Sequence, residues 1–279
     1  PLTLMQQRLW FAESIQPGTP TYNILEAIRL EGDLDVGALN QAITALIDRH
    51  PSLRTTITNE TDQEPRQHVA ERGHVRLEPV EDLSPLGNDA GASRLLERIA
   101  ELTRAPFELL DQPLHRWHLF RLSKNVHVLY FATHHLISDG WSMQLAKRDL
   151  SALYLAAKNR TAAALPALPL GYAEYAVEHR ALVESGALAG QIAHWQKLLM
   201  PLPDPLALPT DFARPSQPTQ RAGNLLVEVP QAEVEALLQI GRKTHATLFM
   251  VTLAAYVAFL HRHTGQSDFV IGMPTTKSD

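Results

Sequence analysis

The chain has 279 residues, 45% of them hydrophobic, which is enough for a sizeable core and favours two domains or lobes. Charge is near balance, with 25 basic and 30 acidic residues and a net charge of −5, and no basic stripe stands out, so nothing suggests a nucleic-acid partner. The absence of cysteine excludes thiolate nucleophiles, Cys-ligated zinc and disulfides together, and suits a reducing compartment.

No stretch approaches the roughly 20 apolar residues that a membrane span needs. The longest apolar run, Leu248 to Leu260, reads as a buried helix. No charged-then-apolar secretory start is present. The chain opens on Pro1 and stops at Asp279 just after a strand-like run, so it reads as part of something longer.

In chain order, Thr3 with Gln6 three residues on is a capping-box pattern that predicts a short helix. "YNILEAIRLEG" (22–32) reads as a strand. Asp35 then caps a helix with Val36, Leu39, Ile43, Leu46 and Ile47 on one face. "LRTTIT" (53–58) and "HVRLEPV" (74–80) read as strands, and Ala92 to Thr103 as a helix. Two strands follow, Leu114–Leu122 and Val126–Thr133, around the turn "SKN". The second is almost continuously apolar, which predicts a central strand covered on both faces. After Gly140 helical spacing resumes through Trp141, Leu145, Leu153 and Tyr154.

"AALPALPLG" (163–171) breaks the pattern. It sets the expected division into an N-terminal lobe over 1–165 and the beginning of a second lobe over 166–279. Helices near 172–185 and 190–199 come next, then a proline-rich crossing over 201–223. "NLLVEVP" (224–230) reads as a strand, 231–243 and 247–263 as helices, and "DFVIG" (268–272) as a last strand. Strands and helices in both halves predict an α/β sandwich.

The chemistry concentrates in "ATHHLISDGWS" (132–142). His134 and His135 are neighbours at a strand end, so their side chains point to opposite faces and do not easily reach one ion. Asp139 is the only carboxylate nearby, whereas zinc sites usually take three or four protein ligands; no metal is expected. No Gly-x-Ser-x-Gly elbow and no glycine-rich phosphate loop occurs. An ordinary strand end running into a helix, with Asp139 as the cap, accounts for part of the run. Two titratable rings at the end of a buried strand are nevertheless costly unless bonded or used, and histidine is the usual acid or base near neutral pH.

"HHLISDG" resembles the His-His-x-x-x-Asp-Gly signature of the chloramphenicol-acetyltransferase-like acyltransferases. "LMQQRLWF…PGTPTYNI" (4–24), "RHPSLRT" (49–55), "HHLISDGWS" (134–142), "YAEYAVEHR" (172–180) and "VIGMP" (270–274) stand in the order seen in condensation domains of nonribosomal peptide synthetases. The resemblance covers the whole chain. Two departures exist: Leu4-Met5-Gln6-Gln7 replaces the usual Ser-x-Ala-Gln start, and the family's domain continues beyond this chain's last residues.

The resemblance implies a two-lobed α/β sandwich of the chloramphenicol-acetyltransferase-like type, complete in its N-terminal lobe, with a tunnel between the lobes. It implies amide formation between a donor acyl or peptidyl thioester and an aminoacyl thioester acceptor. Both substrates ride on 4′-phosphopantetheine arms of upstream donor and downstream acceptor peptidyl carrier domains, with an adenylation domain adjacent and no directly bound cofactor. The expected setting is a cytoplasmic multidomain chain, monomeric, without nucleic-acid or membrane partners.

By the same resemblance His135 is the catalytic histidine, and His134, Asp139 and Gly140 shape the loop. Asp139 is expected to pair with an arginine, Arg49 or Arg54. Gly140 serves a sharp turn that admits no side chain, or the close passage of a substrate arm. Trp141 and Ser142 are candidates for the tunnel lining. An activated thioester needs no covalent enzyme intermediate, and roughly a third of an α-amine is already neutral near pH 7.5. An epimerization domain and a non-catalytic recruiting domain are the rival readings of the same fold. The intact motif favours catalysis over the latter, and the sequence after the motif favours condensation over the former.

Overall fold

A computed structural model of the chain describes residues 1–59, 64–73, 77, 79–213, 215–216, 223 and 225–273. Contacts divide it into two compact units, Pro1–Leu188 and Ala189–Asp279.

The first unit opens with α1 (Leu4–Ile15), capped as its sequence predicts: Thr3 Oγ1 accepts from Gln6 N–H and Gln6 Oε1 accepts from Thr3 N–H. Strand β1 (Asn23–Glu31) leads to α2 (Val36–Arg49), whose cap is Asp35 and whose Leu39, Ile43, Leu46 and Ile47 are buried. A one-turn 3-10 helix at Pro51–Arg54 feeds the short antiparallel pair β2 (Thr55–Thr58) and β3 (Arg66–Val69). After the two-residue β4 (Glu81–Asp82) come α3 (Asn88–Arg104), β5 (His115–Ser123) and β6 (Val126–His134). Then α4 (Gly140–Asn159) and α5 (Tyr172–Glu184) close the unit.

The main sheet has the order β1-β6-β5-β4, antiparallel except for the β4–β5 edge. As its unbroken apolar run requires, β6 is internal and every residue from His127 to His134 is buried. Trp117 and Phe131 stack across β5 and β6, with ring centroids 3.7 Å apart. Arg116 reaches over the Phe107 ring at 3.9 Å and donates to Ala105 O, pinning the chain that leaves α3. The expected strand 74–80 falls largely outside the described residues; β3 and β4 were not anticipated, being too short for a readable alternation.

The proline–alanine segment lies within the first unit, and α5, which follows it, packs there. Ala176 is fully buried, Tyr172 Oη lies 3.3 Å from Thr3 Oγ1, and Arg180 pairs with Glu64 at 3.1 Å.

The second unit contains α6 (Ala189–Leu199), α7 (Gln231–Thr244) and α8 (Leu248–Thr264). Its described residues form no strand, which corrects the expectation for 225–230 and 268–272; Asn224, the first residue of the expected strand 224–230, lies outside the described residues. A strand needs a partner for its backbone N–H and C=O groups, and neither run meets one among the described residues. Leu225 and Leu226 are accordingly 88% and 87% exposed. Nor is α8 buried along its length: Leu260 is its only buried residue. No single helix among the described residues is long and apolar enough to cross a membrane.

Candidate active site

The end of β6 separates the two histidines. His134 is the last strand residue, paired in register with Asn23 of β1, and its side chain is buried. The chain turns at once, so His135 is exposed. His134 Nδ1 accepts from the backbone N–H of Leu136 at 3.2 Å, and its Nε2 lies 3.5 Å from Glu13 Oε1. Tyr22 and Phe107 present ring edges to it at 6.2 and 6.1 Å. Burial, helped by the neighbouring His135, pushes the His134 ring down to about 4, so it is neutral at physiological pH. Burial also raises the Glu13 carboxyl above its ordinary value. The His134 ring is therefore buried and hydrogen-bonded at Nδ1.

His135 is held through its backbone. Its N–H donates to Tyr22 O at 2.9 Å. The following residue is clamped from both sides: Leu136 N–H by His134 Nδ1, and Leu136 C=O by Gln6 Nε2 at 2.9 Å. Ile137 N–H closes the turn on His134 O at 3.0 Å. The imidazole of His135 itself has no hydrogen-bond partner among the described residues. A ring on a fixed backbone with both nitrogens open is a group that can meet a substrate proton. Gln6 and Tyr22 were not singled out by sequence reasoning for this role; a bond between residues 6 and 136 leaves no local pattern.

Asp139 departs from expectation in its partner. It is the N-cap of α4: Oδ1 accepts from Ser142 N–H at 2.7 Å and from Ser142 Oγ at 2.6 Å. Neither expected arginine pairs with it. Arg49 Nε binds Asp149 Oδ2 at 2.9 Å, and His50 Nε2 lies 3.0 Å from the same oxygen. Arg54 Nε donates to Ile47 O at 3.2 Å and its Nη1 to Ala70 O. The reason is geometric. α4 begins immediately after Asp139, so that carboxylate serves the orphan amides of the first turn, whereas Asp149 lies on the α4 face that packs against α2. Burial opposes ionisation of Asp149, yet hydrogen bonds from Arg49, Arg148 and His50 outweigh it and hold its carboxyl below the usual range. The signal was present in the sequence: a lone acid among the inward residues Met143, Ala146 and Leu150.

Gly140 is the first residue of α4 with ordinary helical placement, and an added Cβ would meet nothing within 4 Å. The turn therefore does not itself demand glycine, which removes one of its two expected roles. Trp141 is 63% exposed. Ser142 caps with Asp139 and, with Ser138, His50 and Met143, lines a small cavity of about 100 Å³ beneath α4. Ser138 also hydrogen-bonds Thr133 Oγ1 of β6.

The mixed α/β fold, with its central antiparallel strand ending in His-His-x-x-x-Asp-Gly, is of the chloramphenicol-acetyltransferase-like class, as its similarity to solved structures shows. Residues 1–277 match the family profile described as "Condensation domain". The chain belongs to the condensation-domain family. It is 36% identical over 274 residues to phosphinothricin tripeptide synthetase PhsC of Streptomyces viridochromogenes, covering 98% of this chain and 25% of the relative. It is 34% identical over 281 residues to the dimodular nonribosomal peptide synthase of Bacillus subtilis, covering 98% of this chain and 11% of that protein. The chain thus spans a quarter or less of these relatives' length. Among solved structures it is similar to the X-domain in "Complex of the X-domain and OxyB from Teicoplanin Biosynthesis". There the TM-score is 0.79 and the identity 31%, over 94% of this chain and 57% of that one.

Proposed function

We propose that this chain catalyses amide-bond formation between a carrier-bound acyl or peptidyl thioester and a carrier-bound aminoacyl thioester, within a nonribosomal peptide synthetase. The observation that carries the reading is the loop of a condensation-family chain in which His134 is buried and bonded while the exposed His135 ring, on a clamped backbone, has no hydrogen-bond partner among the described residues. The acceptor nitrogen attacks the donor carbonyl carbon, the C–S bond breaks, and the departing thiolate takes up a proton. His135 accepts the proton that the attacking nitrogen must lose, and orients that nitrogen. General-base help of this kind contributes about 10²–10⁴-fold, and holding two tethered substrates together contributes more. The thioester is already activated, so the step needs no enzyme nucleophile and no bound cofactor; the 4′-phosphopantetheine arms belong to the substrates' carriers.

The partners in this reading are an upstream donor carrier domain, a downstream acceptor carrier domain and an adjacent adenylation domain, in the cytoplasm. The test mixes a donor-loaded and an acceptor-loaded carrier with the protein and follows amide product by mass spectrometry. Product that disappears in His135→Ala supports the reading. A second reading is a partner-recruiting domain, favoured by the similarity to an X-domain solved in complex with OxyB. Carrier binding without product would support it instead.

A further inference from the structure

Glu13 is an unusual residue for its position. It lies in the last turn of α1, where a negative charge opposes the helix dipole. It is nevertheless only 6% exposed. It lines a cavity of about 430 Å³ with Trp10, Phe107, Leu109 and Leu110, a setting in which a carboxyl is costly unless it bonds something. Its polar contact is the ring of His134, 3.5 Å away at Nε2.

The other nitrogen of that ring settles what Glu13 faces. Leu136 N–H is a donor, so His134 Nδ1 must be the acceptor in their 3.2 Å bond. A neutral ring with an unprotonated Nδ1 carries its proton on Nε2, and that N–H is directed at Glu13 Oε1. The carboxyl presents an acceptor oxygen in either protonation state. From these contacts we propose that Glu13 is a positioning residue: it holds His134 in the Nε2–H tautomer, which keeps Nδ1 free to grip Leu136 and so fixes the backbone that presents His135.

The chain of contacts is continuous. Glu13 faces His134, His134 grips Leu136 N–H, Gln6 grips Leu136 C=O, and His135 N–H is held by Tyr22 O. Glu13 and Gln6 both come from α1, so that helix supports the loop twice, through the ring and through the carbonyl. If the acceptor at position 13 is lost, a buried Nε2–H is left unpaired. The other tautomer then becomes competitive, and its Nδ1–H would confront Leu136 N–H, donor against donor. The catalytic meaning of this device rests on the amide-forming reading above; the tautomer does not.

The test uses the whole chain with ¹⁵N-labelled histidine. Two-bond nitrogen–proton correlations give the His134 tautomer, and amide exchange of Leu136 gives the grip on the loop. Wild type is expected to show Nε2–H. Glu13→Gln, which keeps an oxygen acceptor, retains that tautomer and turnover within about 3-fold. Glu13→Leu mixes the tautomers, speeds Leu136 exchange, and lowers kcat about 10-fold or more with little change in KM, as expected for a misplaced catalytic group. An unchanged His134 tautomer and Leu136 exchange in Glu13→Leu overturns the proposal. Where Glu13→Leu does not fold, Glu13→Ala takes its place with the same two readouts, and an Nδ1–H ring in wild type overturns the proposal outright. Failure of the wild-type protein to form amide would overturn the functional reading and leave the tautomer result standing.

Discussion

Arg49 Nε lies 2.9 Å from Asp149 Oδ2, and the Asp149 side chain has no exposed surface. The pair joins the C-terminal end of α2 to the middle of α4, the helix that starts at the histidine loop. With His50 on the same oxygen and Arg148 on the other, the carboxylate is bonded on both sides. Such a group is expensive to bury and more expensive to leave half-made.

Asp149→Ala leaves Arg49 and His50, each only 17% exposed in the side chain, facing an emptied site. It is expected to lower unfolding free energy by about 3–5 kcal/mol. Asp139→Ala removes only a helix cap and is expected to cost about 1 kcal/mol; Asp139→Asn, which can still cap, costs less. Urea unfolding of the three variants checks the order. A larger loss from Asp139 than from Asp149 would restore the arginine pairing that the sequence suggested for Asp139.

The two histidines should separate stability from turnover. His135→Ala removes an exposed ring without a hydrogen-bond partner among the described residues, so the melting temperature is expected to stay at the wild-type value. Amide formation should fall by about 10²-fold or more. His134→Ala empties a buried site and frees Leu136 N–H, and is expected to destabilise by about 2–4 kcal/mol. Calorimetry and the carrier assay, run side by side, check both. A soluble His135→Ala protein with wild-type turnover would remove His135 from the mechanism.

Much of this arrangement was legible in the chain. The apolar run 126–133 announced a central strand, and the alternation of strand faces announced that His134 and His135 part company. Caps at Thr3 and Asp35 were readable because their partners are three residues away. What was not legible is long-range. Gln6 meets Leu136, Glu13 meets His134 and Arg49 meets Asp149 across roughly a hundred residues or more, and no periodicity encodes such pairs. The run 225–229 shows the opposite failure: its composition suits a strand, but strand formation depends on a partner edge that local sequence does not supply.

Acid should weaken the fold through two buried rings. Burial holds both His115 and His134 at about 4, against an ordinary value of 6.5. Between those values the unfolded chain binds protons that the folded chain refuses, so stability rises with pH across the window and is lost as pH falls from about 6.5 toward 4. Glu13, raised by burial, acts in the reverse sense, favouring the fold while it is protonated and losing that contribution as pH rises above its ordinary value. Chemical unfolding between pH 4 and 7 is expected to show the acid-side loss, with a shallower slope in His115→Gln. An equal slope in wild type and His115→Gln would mean that the His115 ring is not the source.

Gly140 offers the cleanest separation of fold from function. The residue begins α4, its φ lies outside the left-handed region, and a Cβ there would touch nothing within 4 Å. Gly140→Ala should therefore fold normally and gain about 0.4–1 kcal/mol, because alanine restricts the unfolded chain more than glycine does. If a substrate arm passes over this backbone, the same methyl obstructs it, and KM for a carrier-bound substrate rises while the melting temperature holds or increases. Thermal unfolding and carrier-substrate kinetics on the one variant distinguish the cases. Unchanged kinetics would show that no substrate approaches Gly140 closely; a fall in melting temperature would show that the turn requires glycine after all.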